Sequence, residues 1–93
     1  MYLIRKTKSF EKSFKKIKNS GIKTSIKKDL GFVIDSLAFG RNLSTLYKDH
    51  KLGGELSDCR ECHIKGDLLL IYKIEKENLI LVLVDIGSHA HLF

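Results

Sequence analysis

The sequence predicts an α+β domain in which an amino-terminal helical hairpin packs on a small, mainly antiparallel sheet. Two observations support this class: apolar residues recur with helical spacing in the first part of the chain, and β-rich runs separated by short turns fill the last part. Helices followed by strands are typical of α+β domains. With 93 residues, 43% hydrophobic and 30% charged, the chain is expected to form a single domain, 1–93, around one two-layer core.

The amino-terminal part is expected to contain a short strand and two helices. Residues 2–5 read as the strand. Phe10, Phe14 and Ile17 fall at i, i+4 and i+7 among lysines, which predicts an amphipathic helix from Ser9 to about Asn19. A second helix is indicated by one apolar stripe that precedes a glycine stop signal: Ile22, Ile26, Leu30, Val33 and Leu37, then Gly40.

The carboxyl-terminal part is expected to form the sheet. Residues 39–57 show no sustained period and contain three glycines, so they predict a long loop, and long loops are often functional. The runs at 58–64, 67–74 and 79–86 predict an antiparallel meander. Because the last run is continuously apolar, we expect it to be an interior strand.

Charge is spread unevenly along the chain. Residues 1–28 carry ten Lys and Arg against Glu11 alone, a net charge of +9, whereas residues 29–93 carry seven against ten acids, a net charge of −3. Such a basic half indicates a polyanion or an acidic partner, and the alternative is a lysine face that only keeps the protein soluble. No apolar run reaches the roughly 18 residues of a membrane span, and MYLIRKTKSF lacks a signal-peptide pattern, so we expect a cytoplasmic protein with no membrane partner.

Residues 59–67, CRECHIKGD, contain C-x-x-C-H, the attachment signature of c-type haem. If this run is a strand, Cys59 and His63 share one face and Cys62 takes the other. The two sulfurs then point apart, whereas covalent attachment needs both at one porphyrin edge. The sequence therefore argues against a haem site.

Two other interpretations of the cysteines are open. A thioredoxin-like pair would need a helix after the first cysteine, and none is predicted here. A zinc site with His89 and His91 would lack the usual two closely spaced ligand pairs. We expect no cofactor and no metal, with Cys62 a small buried hydrophobe and Cys59 a thiol without a role.

The histidines offer a different chemistry. A single histidine is more often a satisfied surface or core residue than a catalyst, but the meander can bring several together at one end of its sheet. The residues in those segments are His50, His63, Asp67, His89 and His91. An imidazole base, an imidazole acid and nearby cations would suffice to cleave RNA without a metal, because RNA supplies its own 2′-hydroxyl nucleophile. The basic helices would bind the RNA backbone, and Tyr47, Tyr72 or Phe93 could stack on an unpaired base.

Three segments, YKDHKLGG, CRECHIKGDLLLIYKI and GSHAHLF, resemble the YafQ branch of the RelE/ParE toxin superfamily. The resemblance covers nearly the whole chain and implies a RelE-like fold. It also implies a bacterial ribosome-dependent mRNA interferase, which cuts mRNA in the ribosomal A site and leaves a 2′,3′-cyclic phosphate and a 5′-hydroxyl. A RelB/DinJ-like antitoxin is the implied partner, and we expect it to wrap the basic helices or to cover the catalytic face.

The resemblance also implies roles for individual residues. The acid–base set that it carries over is His50, His63, Asp67 and His89. The residues that would contact or support the RNA are Arg60, Phe93, Lys48 and Lys65. His89 would act as general acid toward the leaving 5′-oxygen, either His50 or Asp67 as base, and His63 with Arg60 would orient or neutralise the phosphate.

Two positions depart from the family pattern. Leu68 stands where the family often has tryptophan, so one stacking or packing surface is missing. Asp85 stands where an arginine is common, and a carboxylate facing the site would repel the RNA phosphate. His91 has no role carried over and is expected to be a solvated tail residue.

Other functions remain alternatives at this point. ParE-like members of the superfamily inhibit DNA gyrase by binding, and in them an array of histidines is not required, so a shared fold does not decide between the two. A Cys/His metal- or haem-binding module is the third alternative.

Overall fold

The computed structural model describes residues 1–93 and contains five strands and three α-helices. In chain order they are β1 (Leu3–Lys6), α1 (Lys8–Asn19), α2 (Thr24–Ala38), β2 (His50–Lys51), β3 (Arg60–Lys65), β4 (Leu68–Glu75), β5 (Ile80–Gly87) and α3 (His89–Leu92). The strands form one sheet in the order β1-β5-β4-β3-β2, in which only β1 and β5 are parallel. The predicted α+β class is thus confirmed, and β5 is an interior strand as expected. None of the helices combines the length and the apolar character needed to cross a bilayer.

The first two helices begin and end close to the predicted positions. Thr7 caps α1, because its Oγ1 accepts a hydrogen bond from the amide of Phe10 at 3.0 Å. The same hydroxyl donates to the carbonyl of Val84 at 2.6 Å and so ties the start of α1 to β5. Ile22 was expected to open the second helix, but it lies in the irregular segment before Thr24.

The hydrophobic core lies between the two long helices and one face of the sheet. α1 packs against β5, and α2 packs against β3. The buried core residues are Phe10, Leu30, Val33, Leu37, Ala38, Cys62, Ile64, Leu70, Tyr72, Leu81, Leu83 and Ile86. Side chains alternate along a strand, so the intervening residues occupy the opposite side of the sheet, which we call the open face. The open face carries Glu61, His63, Leu69, Ile71, Val82 and Asp85, of which only His63 and Asp85 are partly exposed.

A β-bulge shifts the phase of β5 near its end. Tyr72 pairs with Leu83 but Ile71 pairs with Asp85, so Val84 is the extra residue. Without the bulge, strict alternation would turn Asp85 into the core and Ile86 away from it. The bulge instead buries Ile86 and brings Asp85 to the open face.

The sequence predicted a long loop for residues 39–57, but this segment contains short regular elements. They contain two single-turn 3-10 helices, Thr45–Tyr47 and Gly54–Leu56, and the two-residue strand β2. β2 pairs with β3 and places His50 opposite Glu61. A strand of two residues has no detectable period, which explains why the sequence pattern missed it.

Candidate active site

Two imidazoles face one buried carboxylate on the open face. Glu61 Oε1 lies 3.6 Å from Nε2 of His50 and 3.4 Å from Nε2 of His63, and the two rings have centroids 6.3 Å apart. The Glu61 side chain is only 8% exposed, whereas that of His50 is 50% exposed. A buried carboxylate without a partner is costly, so the two neighbouring imidazoles offset part of the cost of burying Glu61. Sequence reasoning missed Glu61, although its position two residues before His63 in a strand puts both on one face.

The backbone before His50 fixes the orientation of its ring. Lys48 has a left-handed conformation with φ 49°, which turns its carbonyl toward the imidazole. His50 Nδ1 is 2.6 Å from that carbonyl oxygen. A carbonyl can only accept, so Nδ1 carries the proton and Nε2 is the nitrogen that faces Glu61.

His89 is the third imidazole, and it lies at the same end of the sheet as His63. In the strand register His63 pairs with Leu69 and Leu69 pairs with Gly87. Two strand spacings separate the backbones of His63 and Gly87 by roughly 10 Å. Ser88 then caps α3 with its side chain, and His89 begins that helix.

His89 and Phe93 form an exposed ring pair on α3. Their centroids are 5.2 Å apart, which is the spacing of residues one helical turn apart. Phe93 is 55% exposed and His89 is also exposed. The short helix therefore presents an imidazole and an aromatic face to solvent side by side.

Asp67 lines a cleft between α1 and the sheet. The cleft has a volume of about 380 Å³ and largely apolar walls that include Leu68 and Ile86, with Lys16 and His91 among its polar residues. His91 Nε2 is 3.4 Å from Ser13 Oγ, so this exposed residue is not only a solvated tail residue as expected but also contacts α1. Its ring lies so close to Gly87 that a Cβ there would sit 2.7 Å from His91 Cδ2.

Arg60 and Lys65 have acidic partners away from the two imidazoles, whereas Lys48 lies beside His50. Arg60 is directed to the helix side of the sheet, where its Nε donates to Asp49 Oδ1 at 3.1 Å. Lys65 forms a long ion pair, 3.9 Å, with Asp29 of α2. Lys48 is exposed, and the structure gives its carbonyl the role of orienting His50.

The two departures from the family pattern both border the candidate site. Asp85 lies on the open face, in the same row of the sheet as Glu61, with Ile71 between them. Its Oδ1 accepts from the amide of Ile86 at 2.8 Å, which satisfies part of its negative charge locally. Leu68 forms part of the wall of the Asp67 cleft.

Both cysteines are buried free thiols. Cys62 lies in the core beneath the helices, and Cys59 precedes β3 and donates a weak hydrogen bond to Asp58 at 3.4 Å. Cys62 is a small buried residue of the core, as expected, and Cys59 is also buried, with 4% of its surface exposed. No group of three or more His, Cys, Asp and Glu side chains has the arrangement of a metal site.

Because both thiols are buried, we expect the folded protein to lose stability at alkaline pH. Burial raises the pKa of Cys62 from 9.0 to about 12, and burial also raises the pKa of Cys59. A thiol with a raised folded pKa contributes stability below its unfolded pKa, and that contribution is lost as pH rises toward the folded value. We expect the free energy of unfolding to fall as pH rises from about 9 to 12, and less so in Cys62→Ala. Urea unfolding across this range measures it, and an equal fall in both proteins would contradict the assignment.

Comparison with known proteins places the chain in a family. Residues 2–93 match the family model described as the bacterial toxin of a type II toxin–antitoxin system, YafQ. The chain belongs to the YafQ toxin family. The fold, the recognised motifs and the family model therefore agree.

Three relatives illustrate the similarity to other YafQ-type toxins. The mRNA interferase toxin YafQ of Escherichia coli is 39% identical over 51 residues, which is 55% of this chain and 53% of that protein, so the match spans about half of its length. A metal-bound toxin from Helicobacter pylori is 44% identical, with a TM-score of 0.89 and complete coverage of both chains. The toxin in the E. coli DinJ–YafQ complex is 26% identical, with a TM-score of 0.86 over 100% of this chain and 99% of that one.

Proposed function

We propose that this YafQ-family toxin is a ribosome-dependent endoribonuclease that cleaves mRNA by acid–base catalysis. The observation that carries the proposal is the pair of imidazoles around Glu61, with His89 at the same end of the sheet. These groups can move protons near neutral pH. The name of the E. coli relative, an mRNA interferase toxin, supports the substrate class.

The proposed reaction transfers one proton at each end of the scissile phosphate. A base removes the proton of the 2′-hydroxyl, and the 2′-oxygen attacks the phosphorus. The bond from phosphorus to the 5′-oxygen breaks, and His89 donates a proton to that oxygen. The products are a 2′,3′-cyclic phosphate and a 5′-hydroxyl, and no metal ion is required for this proton balance.

Each candidate residue has a defined place in this mechanism. His50 and Asp67 are both candidates for the base, and the His50 side chain is 50% exposed, which makes its ring accessible to RNA. His63, whose Nε2 lies 3.4 Å from Glu61, is proposed to orient a phosphate oxygen. Phe93 is positioned beside His89 to stack on a base next to the scissile bond.

The lysines of α1 supply a second surface for RNA. Lys8, Lys12 and Lys15 are exposed, and no ion pair of the structure involves a lysine from residues 1–28. α1 and α2 cover the helix side of the sheet, whereas His50 and His63 lie on the open face. Two RNA-facing surfaces on different sides suit a protein that works inside an RNA-lined cavity such as the ribosomal A site. Lys48 and Lys65 are proposed to add to these backbone contacts.

A DinJ-like antitoxin is the proposed protein partner. The E. coli relative forms a complex with DinJ, and membership of a type II toxin family implies a protein antitoxin. The unpaired lysines of α1 favour an acidic segment that folds on binding.

Primer extension on mRNA from cells that briefly express the protein tests the proposed function. We expect discrete cuts inside the translated region of a reporter message. A matched message that lacks its start codon should show none, because cleavage requires a translating ribosome. Equal cutting of both messages would contradict ribosome dependence. No cuts at all, together with inhibited supercoiling by DNA gyrase, would instead favour the ParE-like alternative.

A further inference from the structure

The Asp49 carboxylate accepts two hydrogen bonds from residues of the sheet, although Asp49 itself lies in a loop. Its Oδ1 accepts a hydrogen bond from the Tyr72 hydroxyl at 2.7 Å and another from Arg60 Nε at 3.1 Å. Its side chain is 21% exposed, and the Tyr72 residue is 1% exposed. A charge-assisted bond of this length to a buried donor is strong, so the carboxylate has little freedom.

The ionisation of the two donors suits this role. Burial raises the pKa of Tyr72, and its hydrogen bond to Asp49 raises it further, so the hydroxyl stays a donor. Burial by itself would lower the pKa of Arg60, but the hydrogen bond and charge of Asp49 outweigh it and the pKa is raised. Tyr72 is paired with Arg60 across β4 and β3, so both donors are fixed by the sheet.

Asp49, which these two donors hold in place, lies one residue before His50. β2 has only two residues and pairs at the edge of the sheet, so it holds His50 weakly by itself. The left-handed Lys48, on the other side of Asp49, supplies the carbonyl that His50 Nδ1 bonds. Fixing Asp49 therefore fixes both the backbone of His50 and the group that orients its ring.

We propose that Tyr72 and Arg60 are positioning residues that act through Asp49 to hold the His50 imidazole in place for mRNA cleavage. The effect on cleavage rests on the proposed function, whereas the effect on His50 does not. The assignment differs from the sequence-based role of Arg60, because its Nε is engaged by Asp49 on the helix side of the sheet. Arg60 would then influence catalysis without contacting the phosphate.

Tyr72→Phe tests the proposal, since it removes one hydroxyl and keeps the buried ring. We expect kcat for ribosome-bound mRNA to fall by about 10- to 100-fold with KM within a factor of about two, as for a misplaced catalytic group. The ring nitrogen signals of His50 in NMR spectra should change from one Nδ1-protonated form to an exchange average. Tyr2→Phe is the matched control, because Tyr2 packs at the edge of the core and its hydroxyl makes no hydrogen bond with Asp49, and it should leave both readouts unchanged.

Two further variants keep the proposal falsifiable. Arg60→Gln alters a partly exposed side chain and leaves the core intact, so it can test the proposal if Tyr72→Phe does not fold. We expect it to cause the same loss of kcat and the same change in the His50 signals. In a His50→Ala background, Tyr72→Phe should cause no additional loss of cleavage. The proposal is wrong if the His50 signals of Tyr72→Phe are unchanged, or if Arg60→Gln changes only KM. It is also wrong if Tyr72→Phe lowers cleavage as much in the His50→Ala background as in the wild type. If the wild-type protein does not cleave mRNA, the proposed function fails, and the NMR spectra still decide whether the anchor orients His50.

Discussion

His89→Ala is expected to lower the rate of mRNA cleavage by about 10²- to 10⁴-fold, the usual contribution of a general acid. The imidazole is exposed at the start of α3, beside the ring of Phe93, and has no hydrogen bond that would have to break before it donates a proton. The measurement is single-turnover cleavage on programmed ribosomes. Binding to the ribosome should be unchanged, so the loss should appear in the single-turnover rate constant at saturation.

His91→Ala is the matched control for this prediction. It removes an imidazole from the same short helix, but one whose Nε2 is turned toward Ser13. We expect a loss of less than about 10-fold, since only an anchor of α3 is weakened and no proton donor is removed. Comparable losses in the two variants, or full activity of His89→Ala, would remove His89 from the role of acid.

Removing both histidines around Glu61 is expected to abolish cleavage and also to destabilise the fold. His50→Ala/His63→Ala leaves a carboxylate that is 8% exposed without a cationic or hydrogen-bonding neighbour. We expect the free energy of unfolding to fall by about 1–3 kcal/mol, the cost of an unsatisfied buried polar group. Chemical denaturation of purified proteins measures the change.

A third substitution separates stability from catalysis at this site. Adding Glu61→Gln removes the stranded charge, so the triple variant should regain most of the lost stability and none of the activity. If the double variant is as stable as the wild type, water reaches Glu61 freely and the carboxylate is not a buried partner of the histidines.

Periodic sequence patterns predicted the helices and most of the strands, but they did not predict irregular local geometry. The apolar spacing of Phe10, Phe14 and Ile17 defined α1, because a helix repeats its core contacts over several turns. The parallel pairing of β1 with β5 was not predicted, since strand partners far apart in sequence leave no local signal. The bulge at Val84, which decides the side on which Asp85 lies, has no signature in the alternation of residues.

The sequence identified the histidines of the candidate site as candidates, but it did not identify the residues that orient them. His50, His63 and His89 were identifiable because imidazole is the side chain suited to proton transfer near neutral pH. Glu61 was given no role, and Tyr72 was expected to stack on an RNA base rather than to bond Asp49. Their importance depends on β2 pairing with β3, a contact formed by a two-residue strand that no periodicity reveals.

The pairing of β1 with β5 also determines when the toxin can begin to act. Leu3 pairs with Ile80, so the hydrogen bonds at this side of the sheet join the beginning of the fold to its last strand. A nascent chain that has not yet exposed β5 has no surface on which α1 can bury Phe10, and its helices are too short to be stable alone. We therefore expect the polypeptide to stay unfolded until β5 has emerged from the ribosome. Under the proposed function, the ribosome that makes the protein then meets no folded toxin until β5 has emerged, which leaves an interval in which the proposed antitoxin can bind first.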